Sequence, residues 1–150
     1  MIPVLLCGYE TWTLNTDLKR RIVVFGTRCL RRIMGYRRYD FVSNQGLFRE
    51  TDSRPITRVV RQRQLGLYGH VAGYPEADPA YWVVSVRDNP TWRRPRGRPQ
   101  NSWLWQVDAF CWESLGMGKE PAWRLVRRDR HEWRRRVGAA TLSPAYAPHD

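Results

Sequence analysis

Residues 15–35 read NTDLKRRIVVFGTRCLRRIMG, and this stretch decides the fold class. Asn15, Thr16 and Asp17 offer side-chain oxygens to the free amides of a helix start, after which Leu18, Ile22, Phe25, Cys29 and Ile33 recur at steps of four, three, four and four. Gly35 then supplies a residue able to take the left-handed conformation that stops a helix. At ~100° per residue the apolar stripe predicts Cys29 facing inward as a small core hydrophobe and carries Arg20, Arg28 and Arg31 round to a common flank.

Outward from this helix the signals stay helical. Ser43 is placed to cap a short helix through Leu47 and Phe48, and Pro55 to open a longer one over residues 56–71. In the longer helix Ile56, Val60, Leu67 and Val71 share a face, with Arg63 and His70 on or beside it. Those two either line a cleft or find buried partners, and His70 beside Gly69 fits a hydrogen-bonded structural histidine. Pro75, Pro79, Pro90, Pro95 and Pro99 exclude a long helix between residues 74 and 100, where residues 81–86 are patterned for one short strand. Helical patterning resumes at Ser102, with Trp103, Val107, Phe110 and Ser114 on one side and Gly116 and Gly118 at the end. Trp105 and Trp112 face away and need cover, from another helix, a missing partner domain or stacked bases. A last helix is expected over residues 121–137.

The sequence thus predicts a mostly α fold. It divides into a helical domain at 1–73, a Pro/Arg-rich linker and arm at 74–101 with at most one short strand, a helical pair at 102–138, and a disordered tail at 139–150.

Charge points to the partner. The 150 residues carry a net +12, and all but two of the 26 basic residues, Lys19 and Lys119, are arginine. A polyanion is the natural counterpart, and an ordinary metabolic enzyme is disfavoured. The odd cysteine count, Cys7, Cys29 and Cys111 with no Cys-x-x-Cys pair, fits thiols in a reducing compartment, the cytoplasm or nucleus. The apolar run at 2–7 is too short to span a membrane and lacks signal-peptide flanks.

Two arginine arrays stand out. Arg93, Arg94, Arg96 and Arg98 surround Pro95, Gly97 and Pro99, a match to the core of an AT-hook; it would track phosphates, read a narrow minor groove, or be a solvated linker. On the last helix Arg124, Arg128, His131 and Arg135 fall opposite the stripe of Ala122, Val126, Trp133 and Val137, on a face without a carboxylate. No paired carboxylates, phosphate-cradling loop or nucleophile elbow is present, so no catalytic residue, metal site or cofactor is expected.

Five motifs occur in a telling order: residues 5–12 (Leu-Leu-Cys-Gly-Tyr-Glu-Thr-Trp), residues 28–35 (Arg-Cys-Leu-Arg-Arg-Ile-Met-Gly), Gly69-His70-Val71, Arg96-Gly97-Arg98-Pro99 with Trp103, and Asp129-Arg130 with Trp133-Arg134. Over residues 4–137 the chain resembles the region downstream of the polymerase palm in LINE-type (non-LTR) retrotransposon endonuclease-reverse transcriptases. The resemblance implies a helical thumb over the first domain, with Arg28, Arg31 and Arg32 near template and primer, and a later segment holding Arg96, Arg98, Arg130 and Arg134. It also implies that the palm aspartates and endonuclease lie elsewhere, making them partners of this chain. Cys7, Gly66, Trp105 and Phe110 depart from the family pattern, and Met1 beside the first motif suggests a truncated or decayed element copy.

The expected function is nucleic-acid binding without catalysis, gripping RNA, DNA or hybrid duplex through Arg20, Arg28, Arg31, Arg32, Arg63, the arm, and the last-helix ridge. The alternative is a transposon remnant that binds polyanions by charge alone.

Overall fold

The computed structural model describes residues 6–85, 96–97 and 102–142, and these are mostly α-helical, with no β-strand among them. The helices are α1 (Thr16–Ile33), α2 (Asn44–Glu50), α3 (Ile56–Ala72), α4 (Pro79–Ser85), α5 (Trp103–Leu115), α6 (Lys119–Arg128) and α7 (Arg130–Leu142). Two compact units divide them. The first is Leu14–Val60; the second joins residues 6–13 to those from Arg61 onward, so the division falls inside α3.

In the first unit α1 begins as its sequence dictates. Asn15 Oδ1 accepts the Leu18 amide at 2.7 Å, while Asp17 in the first turn and Arg31 and Arg32 in the last complement the helix dipole. Gly35, at φ +74°, closes the helix, because the Gly35 and Tyr36 amides then turn back to the Arg32 and Arg31 carbonyls. Ser43 caps α2 through the Gly46 amide at 3.0 Å, and Leu47 is fully buried.

The buried face of α1 differs from the expected one. Leu18, Phe25 and Ile33 are exposed, Ile33 by 76%, and Cys29 is only half-buried. Thr27, nine residues beyond Leu18 and therefore ~180° round the helix, is buried instead. Its hydroxyl is satisfied within the helix by the Val23 and Val24 carbonyls, so burial costs it no hydrogen bond. Beside it Gly26 lets Ile56 come close, since a Cβ there would lie 2.7 Å from Ile56 Cδ1. The helix has apolar residues on more than one side, and packing selects the side with the small residues.

In the second unit α5, α6 and α7 pack on one another and on the C-terminal two-thirds of α3, around Tyr68, Val107, Cys111, Val126 and Trp133. Ser102 Oγ accepts the Trp105 amide at 3.2 Å to start α5, and Gly116 at φ +65° ends it. Val107 and Phe110 are buried and Trp103 is partly buried, as the spacing predicts, while Trp105 and Trp112 are exposed. On α3 Ile56 and Val60 are buried as expected, and in its second-unit part the buried positions are Gln64, Leu65, Tyr68, Gly69 and Ala72, with Leu67 and Val71 only half-buried.

Three expectations are corrected here. The short strand at 81–86 is helix α4 over its described part, because Pro79 sits at a first helical position, Asp78 Oδ1 accepts the Ala80 amide at 2.8 Å, and Tyr81 and Val84 bury one side at a spacing of three. The single helix at 121–137 is two helices. Asp129, extended at φ −150°, ends α6 and caps α7 by accepting the Glu132 amide at 2.9 Å. Asp129 with Glu132 three residues later is a capping-box signal that the apolar spacing overrode. Finally, helix continues past Gly138 to Leu142; the rest of the expected tail, 143–150, lies outside the described residues.

Candidate nucleic-acid interface

The motifs that carry the resemblance turn out to be structural in the second unit. Trp133 is buried, donates from its indole nitrogen to the Leu65 carbonyl at 3.3 Å, and lies against Gly69 so tightly that a Cβ on Gly69 would collide with the ring. Just past the end of α3, Gly73 meets Arg130, whose guanidinium donates to the Gly73 carbonyl. Thus Gly69 and Asp129-Arg130 with Trp133 form one clasp between α3 and α7. His70 is exposed and shares a hydrogen bond with Tyr74 Oη at 2.9 Å. The first motif is anchored likewise: Gln64 donates to the Trp12 carbonyl at 2.7 Å, Trp103 donates to the Glu10 carbonyl at 2.7 Å, and Tyr9 is fully buried.

The described arginines of this unit are largely engaged. Arg61 pairs with Glu113 at 2.8 Å, Arg63 reaches Glu10 at 3.6 Å and lies over the Tyr9 ring, and Arg127 donates to the Tyr74 carbonyl at 2.9 Å. The expected ridge of Arg124, Arg128, His131 and Arg135 is not one helix face, because Asp129 separates its first two members from its last two. Nor is it free of carboxylates: Arg124 pairs with Glu120 at 2.7 Å, and Arg135 and Arg136 both pair with Glu132. The hydrogen bonds from Arg136 and Arg135 hold the Glu132 carboxyl below the ordinary carboxylate range. Arg128 and His131 are exposed without a carboxylate partner among the described residues. Of the proline-held arm, Arg93, Arg94 and Arg98 lie outside the described residues; Arg96 and Gly97 are exposed.

The first unit is different. Its 47 residues hold eleven basic and four acidic side chains, a net +7. Between the C-terminal half of α1 and residues 36–42 lies an open cleft of about 770 Å³. Arg28, Arg31, Arg32, Arg37 and Arg38 line it together with Tyr36 and Phe41. Val24 and Arg28 also border a second hollow that includes Arg20. The flank assigned to Arg20, Arg28 and Arg31 is thus divided between two adjoining hollows, Arg28 and Arg31 lining the first and Arg20 and Arg28 the second, where Asp17 pairs with Arg21 at 2.9 Å.

Arg31 has a second duty. Its Nη2 donates to the Val42 carbonyl at 2.9 Å and to Asn44 Oδ1 at 2.8 Å, pinning the far wall of the cleft to α1. The acids nearby are committed: Asp40 accepts the Arg37 amide at 2.5 Å and Glu50 accepts the Tyr36 hydroxyl. Arg28, Arg32 and Arg38 have no carboxylate partner among the described residues, and the five arginines lining the cleft outnumber the nearby Asp40 and Glu50, so the cleft keeps an excess of positive charge. Arg37, Arg38, Tyr36 and Phe41 were missed from sequence; the arginine pair flanked by tyrosines, Tyr36-Arg37-Arg38-Tyr39, was the available signal.

Among the described residues no cluster of three or more His, Cys, Asp or Glu could hold a metal ion. Burial pushes the Cys111 thiol up to about 12, which leaves it a core group and not a nucleophile. No described helix is long and apolar enough to cross a membrane.

Comparison with known proteins adds one relative. The chain is similar to a Caenorhabditis elegans protein described as an uncharacterized transposon-derived protein, at 28% identity over 142 aligned positions that cover 89% of this chain. The chain spans about half of that relative, 49% of its length. No family model matches the chain, and no solved structure does.

Proposed function

We propose that this chain is a nucleic-acid-binding segment of a transposon-encoded protein, equivalent to the region that follows the palm in a LINE-type reverse transcriptase. The order of the five motifs supports the reading, and so does the likeness to a transposon-derived protein over most of the chain. The observation that carries it is the cleft of the first unit, which Arg28, Arg32 and Arg38 line without carboxylate partners among the described residues. Guanidinium groups so placed bind phosphate oxygens in forked pairs and read backbone shape more than base sequence. Nucleotidyl transfer is assigned to other parts of such a protein, which would be partners of this segment.

Titrating labelled RNA, DNA and hybrid oligonucleotides at several salt concentrations tests this. If three to five arginines reach phosphates, log affinity falls against log salt with a slope of about −2 to −4.5. Binding that is independent of salt contradicts the reading. Equal displacement by heparin, with no preference for nucleic acid, would mean a remnant that binds by charge alone.

A further inference from the structure

The cleft carries more than charge. Phe41 is 92% exposed and holds φ +48°, in the left-handed region that costs a residue with a Cβ roughly 1 kcal/mol or more. An aromatic ring in water on a strained backbone is unfavourable twice over for the free chain. Two residues earlier Tyr39 is 62% exposed, and Arg37 lies against it, Nη1 donating to the phenol oxygen at 2.7 Å. Three aromatic rings and two guanidinium groups therefore lie close together along residues 36–41, with Asp40 the one acid among them.

Resting on the nucleic-acid reading above, we propose that this cleft takes an unpaired nucleotide of a single-stranded segment. Its base stacks on Phe41, its phosphates lie on Arg28, Arg32 and Arg38, and Tyr39 offers a face to the neighbouring base. Duplex hides its base faces in its own stack, so the exposed ring gains nothing from it; unpaired bases present a π-face to any aromatic. The volume of about 770 Å³ lies in the range of small-molecule sites, ~300–1,000 Å³, and accommodates a nucleotide. Acidic peptides would satisfy the arginines but have no comparable ring for Phe41. Arg31, tied to Val42 and Asn44, keeps Phe41 in place before the ligand arrives.

The test uses the full chain and three fluorescent probes: an oligothymidylate of about twelve nucleotides, within the ~4–16 that small single-strand binders cover, a blunt duplex of that length, and the duplex with an unpaired overhang. The expected order of affinity places the oligothymidylate and overhang above the blunt duplex. Phe41→Ala lowers affinity for these two by roughly 5- to 100-fold, leaves blunt duplex unchanged, and Phe41→Tyr restores binding. Because Phe41 is almost fully exposed, its removal leaves the helical circular dichroism intact. If Phe41→Ala changes nothing, weakens all three probes equally, or polyglutamate competes as well as oligothymidylate, the stacking site is wrong while phosphate binding stands. Failure of the wild type to bind any probe overturns both.

Discussion

Around Trp133, arginines end on partners within the chain: Arg124 on Glu120, Arg135 and Arg136 on Glu132, Arg61 on Glu113, Arg130 on the Gly73 carbonyl. In the Leu14–Val60 unit Arg31 is fixed by Val42 and Asn44, Arg37 by the Tyr39 hydroxyl and Arg21 by Asp17, while Arg28, Arg32 and Arg38 border an open cleft and meet no carboxylate among the described residues. Abundance of arginine alone does not identify an interface. What matters is whether the fold supplies a partner, and on the proposed reading it is the arginines left without one at the cleft, Arg28, Arg32 and Arg38, that face a ligand.

Substitutions in the two units should therefore fail in different ways. Trp133→Ala has the largest expected effect: it empties a buried site between α3 and α7 and should cost about 3–5 kcal/mol in urea unfolding. Gly69→Ala forces a Cβ into the same indole and should destabilise by about 1–3 kcal/mol, with a lower urea midpoint. If either variant weakened nucleic-acid binding of the folded protein without touching stability, the clasp would have to be reassigned. Arg130→Ala removes a charge-assisted bond to an exposed carbonyl and should cost about 1 kcal/mol, again leaving affinity alone.

The smallest effect concerns pH. The Glu132 carboxyl is held low by Arg136 and Arg135, so its contribution is present above the unfolded carboxylate value and is lost as pH falls through the lower folded value. Glu132→Gln should make the unfolding midpoint slightly less sensitive to acid below pH ~4.5, read from thermal melts across that range.

Much of the fold was legible because local chemistry was unambiguous. Asn15, Ser43 and Ser102 cap helices where their side chains predict, and Gly35 and Gly116 end two of them in the left-handed conformation. Errors arose where tertiary packing chose between alternatives that periodicity leaves equal. Thr27 and Gly26, and not the larger Leu18 and Phe25, face the core of their unit because close approach favours small side chains. The β-branched run after Trp82 resembles a strand until Pro79 and Asp78 start a helix. Of the candidate interface, Arg20, Arg28 and Arg31 were brought together by helical geometry and Arg32 was named through the family resemblance. Arg37, Arg38 and Phe41 were not, since they lie in an irregular segment where no period places a side chain.

The most direct test pairs two triple variants. Arg28→Ala, Arg32→Ala and Arg38→Ala together remove the cleft's charge; Arg124→Ala, Arg127→Ala and Arg135→Ala remove a matching charge from the second unit. Measured against one oligonucleotide over a range of salt, the cleft variant should lose ten-fold or more in affinity at low salt and flatten the log-log slope by about 2–3, while the other changes the slope by less than about 1. Equal losses from both, or a larger loss from the second, would contradict the assignment of the ligand-facing arginines to the first unit.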